Sequence, residues 1–196
     1  MSDDHSERPS TALSAIVGPG RVRAERLVDW LGRESAGGWL VRPTDVDQVR
    51  DVVSWCASSG TPLVPVGGNT GLVGGTRPDR SAVVLDLTDL TGLRVDAIAG
   101  VARAQAGVTL ARLQQAASAA GWFYGVDLAA RDSATVGGTV ATNAGGIRVC
   151  AFGSTRAQLL GVQAVLADGE LIDDLRALPK DNTGYSLKDL LCGSEG

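Results

Sequence analysis

The chain reads as an α+β protein of two lobes, one small with parallel β-α-β order and one mostly antiparallel. Three observations predict this. A strand pattern, a capped amphipathic helix and a second strand pattern follow one another between Trp39 and Val66. Beyond Thr91 the strand patterns come in pairs joined by short turns at Ala99-Gly100 and Asp168-Gly169. Two glycine-dense segments, Pro65 to Gly75 and Ser133 to Gly146, fall one in each half.

Taken in order, residues 1 to about 10 are polar and predict disorder, and 11 to 38 carry weak helical patterning that ends at Ser35-Ala-Gly-Gly38. Trp39 to Pro43 predicts a short strand. Thr44 is placed to cap a helix, with Asp47 at the capping-box position and Val46, Val49, Val52, Val53 and Cys56 at helical spacing up to Gly60. Thr61 to Val66 and Ala82 to Leu87 are the next strands, and the β-α-β order implies parallel pairing. Leu93 to Val95 and Val101 to Ala106 predict a hairpin. Thr109 then caps a helix whose apolar face is Leu110, Leu113, Ala116, Ala117 and Ala120, with Gly121 at its end. Val162 to Ala167 and Glu170 to Asp173 flank Asp168-Gly169, the strongest hairpin signal in the chain.

Composition narrows the function. At 196 residues, 44% hydrophobic and 20% charged, the chain has the balance of a soluble globular protein, and no apolar run approaches a membrane span. Its polar, acidic start lacks a secretory hydrophobic region, so the cytoplasm is the expected location. A net charge of −4 with scattered Lys and Arg gives no nucleic-acid footprint. Cys56, Cys150 and Cys192 suit neither a disulfide framework nor a zinc site and are expected to be buried free thiols, and no metal site is expected. The single histidine, His5, lies in the polar tail.

Several glycines close together mark a backbone that must approach something closely, and N–H groups freed from a ladder make an anion nest. A phosphate-bearing cofactor is the natural ligand, with Thr70, Ser133 and Thr135 adding hydroxyl donors. The alternative is that both segments are tight turns between strands. A P-loop is excluded because no Gly-Lys-Ser or Gly-Lys-Thr occurs. The dinucleotide fingerprint is excluded because the first segment reads Gly-Gly-Asn-Thr-Gly and runs into a turn-rich stretch.

Several motifs together resemble a known family: Pro65-Val-Gly-Gly-Asn-Thr-Gly71, Val126-Asp-Leu-Ala129, Ser133 to Gly146, Ala167-Asp-Gly169, Lys180-Asp-Asn-Thr-Gly-Tyr-Ser-Leu187 and Gly193-Ser-Glu-Gly196. From about Trp30 to the last residue the chain resembles the FAD-binding domain of the vanillyl-alcohol oxidase and p-cresol methylhydroxylase (PCMH) superfamily. Within it the chain resembles the branch of FAD-linked D-2-hydroxyacid dehydrogenases, acting on D-2-hydroxyglutarate, D-lactate or glycolate. The resemblance implies a two-lobed PCMH-type fold: a tail and helical segment over 1–38, one FAD-binding lobe over 39–91, and a second over 92–196. It implies that Val66, Gly67, Gly68, Asn69, Thr70 and Gly71 cradle the FAD pyrophosphate, and that Ser133, Ala134, Thr135, Gly137 and Gly138 form a second wall. Thr142, Asn143, Gly145 and Gly146 would lie nearer the ribityl chain and flavin.

Some members bond the flavin to a histidine in the first loop or a cysteine near the second. Asn69 and Asp132 stand at those places here, so noncovalent FAD is expected. Gly125 where a proline is usual, Ala151 where a basic residue is common, and Ser186 in place of Asp or Asn depart from the branch pattern and alter the expected flavin pocket.

In full-length relatives a C-terminal cap domain follows the segment that ends here at Gly196, and supplies the substrate-carboxylate arginine and the base or metal site. The expectation is a truncated, FAD-binding portion without catalytic residues, which takes a 2-hydroxy acid only with such a cap. The electron acceptor is not specified. Asp127, Asp173, Asp174, Lys180 and Asp181 are weighed as stand-in bases, but loop orientation or solvation accounts for each. Tyr185 is expected to pack against the core, as are Trp122, Phe123 and Tyr124. The alternatives are a noncatalytic or split-enzyme flavin module, and an NADPH-dependent flavin reductase of the same superfamily.

Overall fold

The computed structural model describes residues 7–29, 31–78 and 82–196, and His5 and most of the tail expected to be disordered lie outside them. The chain divides into two compact units, Met1–Asp89 with Val165–Leu171, and Leu90–Ala164 with Ile172–Gly196.

The first unit contains α1 (Glu7–Val17), β1 (Val22–Glu25), β2 (Gly38–Val41), α2 (Val46–Ser59), β3 (Leu63–Val66) and β4 (Val83–Asp86) in a sheet of order β1-β2-β4-β3. The parallel pairing is as expected, with β4 between β2 and β3 and hydrogen-bonded to both. All of β4 is buried, which is the signature of a central parallel strand covered on both faces. Register explains the core: Leu40, Val84 and Val64 align across three strands, and Val66 and Leu27 complete that cluster. Helix α1 packs on α2, β1 and β2, with Leu13 and Val17 buried.

Two expectations are corrected here. The weak helical patterning over 11–38 resolves into α1, which begins at Glu7, and β1, an edge strand antiparallel to β2. Four residues of Val-Arg-Ala-Glu are too few to show an alternating pattern, and pairing with distant β2 makes the strand. The cap of α2 is Asp45, not Thr44: its side chain accepts from Gln48 N at 2.9 Å, while Gln48 Oε1 accepts from Thr44 N at 2.8 Å. The Gln48 side chain is long enough to reach back to the entering chain, whereas Asp47 is too short, so the reciprocal pair sits one residue later. Asp45→Ala should therefore lower the stability of the protein by about 1 kcal/mol in urea unfolding, and Thr44→Ala by clearly less.

The second unit contains the antiparallel hairpin β5 (Leu93–Asp96) and β6 (Val101–Ala104), α3 (Leu110–Ala119), and the short helices α4 (Val136–Ala141), α5 (Val149–Phe152), α6 (Thr155–Gln158) and α7 (Leu187–Leu191). Thr109 caps α3 as expected, its hydroxyl accepting from Arg112 N, and Leu110, Leu113 and Ala117 are buried. Strands β7 (Val162–Val165) and β8 (Leu171–Asp174) pair around the Asp168-Gly169 turn, where Leu166 N donates to Glu170 O.

Candidate functional site

The two glycine segments differ in the state of their backbone. In the first, Val66 ends β3 in the core and its carbonyl accepts from Leu87 N, so the chain leaves the sheet at Gly67. Asn69 adopts a left-handed conformation (φ 51°) held by its own side chain: Nδ2 donates to Val28 O at 2.8 Å, and Oδ1 accepts from Thr76 Oγ1 at 2.7 Å. The N–H groups of Gly68, Thr70 and Gly71 have no hydrogen-bond partner among the described residues. A half-buried loop with idle donors and a side chain that locks its curvature is suited to an anionic ligand.

From Ser133 to Gly138 the second segment is not a loop of free donors, which corrects the nest reading for that stretch, whereas the N–H groups of Gly145 and Gly146 have no hydrogen-bond partner among the described residues. Thr135 is the N-cap of α4, and Gly137 and Gly138 lie inside that helix. Its first three N–H groups are committed: Val136 N to Val108 O at 2.8 Å, Gly137 N to Ala106 O at 2.9 Å, Gly138 N to Thr135 Oγ1 at 3.3 Å. Ser133 N and Ala134 N both donate to Ala130 O. A Cβ at Gly137 would stand 2.7 Å from that of Ala106, so close packing accounts for this glycine. The Ser133 hydroxyl remains exposed and has no partner among the described residues.

Further along, Thr142 Oγ1 donates to Gly138 O at 2.9 Å and Asn143 is left-handed (φ 48°), its Oδ1 accepting from Arg156 N at 3.0 Å. Gly145 is half-buried beside Val149. Gly146 (φ 79°) forms a parallel bridge with Asp127.

Asp127 is 2% exposed and receives Arg131 Nη1 at 3.0 Å, Arg148 Nη2 at 3.2 Å and Gln114 Nε2 at 3.3 Å. It orients its loop, as its sequence context suggests, and all its neighbours are donors. The i,i+4 spacing to Arg131 is readable in the sequence, whereas Arg148 is brought by the fold. Arg156, which sequence reasoning missed, donates through Nη1 to Asp189 O and through Nη2 to Cys192 O, tying the end of α7 to the Asn143 turn.

The other candidate carboxylates are engaged, while Lys180 is exposed and has no partner among the described residues. Asp173 accepts from Gln163, Asp174 pairs with Arg176 at 2.8 Å, and Asp181 pairs with Arg176 at 2.9 Å and caps Thr183. The Thr183 hydrogen bonds hold the Asp181 carboxyl below its ordinary range. Burial, with Cys192 adding to it, pushes the Tyr124 phenol up to about 12, which keeps it protonated at neutral pH. Among the described residues no group of three metal-ligating side chains gathers.

Three local expectations fail. Trp122 and Phe123 are 48% and 59% exposed: Trp122 Nε1 donates to Ala97 O, and Phe123 lies between the Phe152 ring and the Arg148 guanidinium, each 5.1 Å away. Tyr185 is fully exposed, because side-chain hydrogen bonds of Asp181 hold its turn without apolar contacts. Cys56 and Cys192 are buried but Cys150 is exposed, since α5 turns Val149 and Phe152 outward as well.

A protein-family model described as an FAD binding domain matches residues 39–174. The chain is 41% identical over 199 residues to a mitochondrial D-2-hydroxyglutarate dehydrogenase of Bos taurus, covering 97% of this chain and 36% of that protein. It is 39% identical to a putative D-lactate dehydrogenase of Schizosaccharomyces pombe and 36% identical to a D-2-hydroxyglutarate–pyruvate transhydrogenase of Saccharomyces cerevisiae, each over 86% of this chain and covering 32% and 34% of those proteins. The chain thus spans about a third of the length of the relatives it matches. Two crystal forms of alkyldihydroxyacetonephosphate synthase share its fold, with TM-scores of 0.80 and 0.82 over 99% of this chain at 21% identity, covering 38% and 41% of those chains. The fold, a parallel sheet with small antiparallel sheets, is of the PCMH type, and the chain belongs to the FAD binding domain family.

Proposed function

We propose that this chain holds FAD noncovalently as the cofactor-binding part of an oxidoreductase that converts D-2-hydroxy acids to 2-oxo acids, and that by itself it binds FAD without turnover. The observation that carries the proposal is the loop from Gly67 to Gly71, whose N–H groups at Gly68, Thr70 and Gly71 are idle among the described residues while Asn69 locks its curvature. Those donors would take pyrophosphate oxygens. Bound FAD would supply the hydride acceptor. Asp127, Asp173, Asp174 and Asp181 are each engaged by donors, which favours binding over turnover in this chain alone.

The protein mixed with FAD should retain the flavin through gel filtration near equal molar ratio and release all of it on acid precipitation. D-2-hydroxyglutarate or D-lactate should leave its flavin absorbance unbleached. Absence of retained flavin at saturating FAD would sink the proposal, flavin left in the acid pellet would remove its noncovalent part, and bleaching by either acid would overturn the assignment of binding without turnover.

A further inference from the structure

We propose that Arg33 and Arg77 form a phosphate-class oxyanion site at the turn around Gly74, beyond the residues assigned to the cofactor loop. Gly74 is left-handed (φ 77°), and the space a Cβ would fill is bordered by two guanidinium groups: Arg77 Nε at 3.1 Å and Nη2 at 3.3 Å, and Arg33 Nη2 at 3.5 Å. Two like charges therefore converge on one point of the loop. One carboxylate serves the pair: Asp29, buried, accepts Arg33 Nε at 2.7 Å and the N–H groups of Leu31 and Arg33. Arg77 has no carboxylate partner among the described residues. Arg33 Nη2 is shielded from solvent and has no hydrogen-bond partner among the described residues.

A buried guanidinium N–H without an acceptor is costly, and the cost rises when a second cation stands beside it. An oxyanion at this point removes both penalties by accepting from Arg33 Nη2 and Arg77 and neutralising the excess charge. Guanidinium groups arriving from two separate segments suit a tetrahedral ion with several acceptor oxygens. The turn is already held in place without the ligand: Arg77 N donates to Gly74 O at 3.2 Å, and Thr76 Oγ1 donates to Asn69 Oδ1 at 2.7 Å. A phosphate group of FAD and a separate phosphate share this chemistry, and the site rests on the first unit alone, so it does not depend on the FAD reading.

The full chain is titrated with inorganic phosphate at constant ionic strength, exchanged against chloride, while the amide NMR shifts of residues 74–77 are followed. Saturable shifts are expected, with affinity reduced about tenfold in Arg77→Gln, the loss of one charge-assisted contact. Arg77→Gln leaves the Asp29–Arg33 pair intact and should melt like the wild type, which keeps the test valid should Arg33→Gln misfold. Shifts that do not saturate, or that are equal in wild type and Arg77→Gln, overturn the site. Displacement of phosphate by FAD, with FAD weakened by Arg77→Gln, identifies the oxyanion as the cofactor's, and simultaneous binding identifies a separate phosphate ligand. Phosphate binding without FAD binding supports this site and removes the FAD reading.

Discussion

Gly146→Ala is expected to destabilise the second unit by roughly 3–5 kcal/mol, a large share of the stability of an ordinary domain. Two effects add. At φ 79° any L side chain is strained, and an ideal Cβ would lie 1.9 Å from Asp127 O and 2.7 Å from its carbonyl carbon. Those are backbone atoms, held by the Asp127–Gly146 bridge and by the bond from Ile147 N to Asp127 O at 3.0 Å. No rotamer change relieves the contact, so the bridge must open and pull on a carboxylate anchored by two arginines. Gly121→Ala separates the two effects, since Gly121 has φ 80° and nothing within 4 Å of the Cβ position. Its cost should be only about 1–2 kcal/mol, the left-handed penalty alone. Urea unfolding of both variants against wild type gives the comparison, and equal losses would show that the clash is relieved at little cost.

Asp127→Ala should cost about 3 kcal/mol. The carboxylate is 2% exposed and its removal strands Arg131 and Arg148, while Gln114 Nε2 keeps its bond to Val126 O at 2.9 Å. The estimate sits at the low end for a buried pair because the two arginine side chains are 43% and 37% exposed and can rehydrate. Arg148→Ala should cost less, roughly 1 kcal/mol, since Arg131 still neutralises Asp127 and only the contact over the Phe123 ring goes with it. In the double variant the losses should fall short of additive, because the interaction of the two groups is counted in both single variants. An unchanged unfolding midpoint for Asp127→Ala would show that the two arginines find equivalent acceptors elsewhere.

Local patterns carried furthest where a segment's own periodicity or turn chemistry decides its shape. The apolar positions 49, 52, 53 and 56, the Thr109 cap and the Asp168-Gly169 turn are all found in their expected roles. Patterns failed where a short element is stabilised from elsewhere. Strand β1 needs β2, and α4 forms on a Thr-Val-Gly-Gly stretch of poor helix propensity because Val108 and Ala106 carbonyls accept its first N–H groups. The aromatic run at 122–124 reads as core because large rings are usually buried, yet hydrogen bonding and ring contacts hold Trp122 and Phe123 at the surface.

From the sequence alone came the parallel-then-antiparallel order, the resemblance to an FAD-binding domain, and the two glycine segments as its marks. Their physical difference was settled by tertiary structure. Glycine density is the same signature whether a backbone must approach a ligand, as the idle donors of the first segment suit it to do, or another backbone, as at Gly137 and Gly146. Only the fold shows which, because the atoms that fill the missing Cβ space, Ala106 and the Asp127 carbonyl, come from positions that no local pattern connects to those glycines.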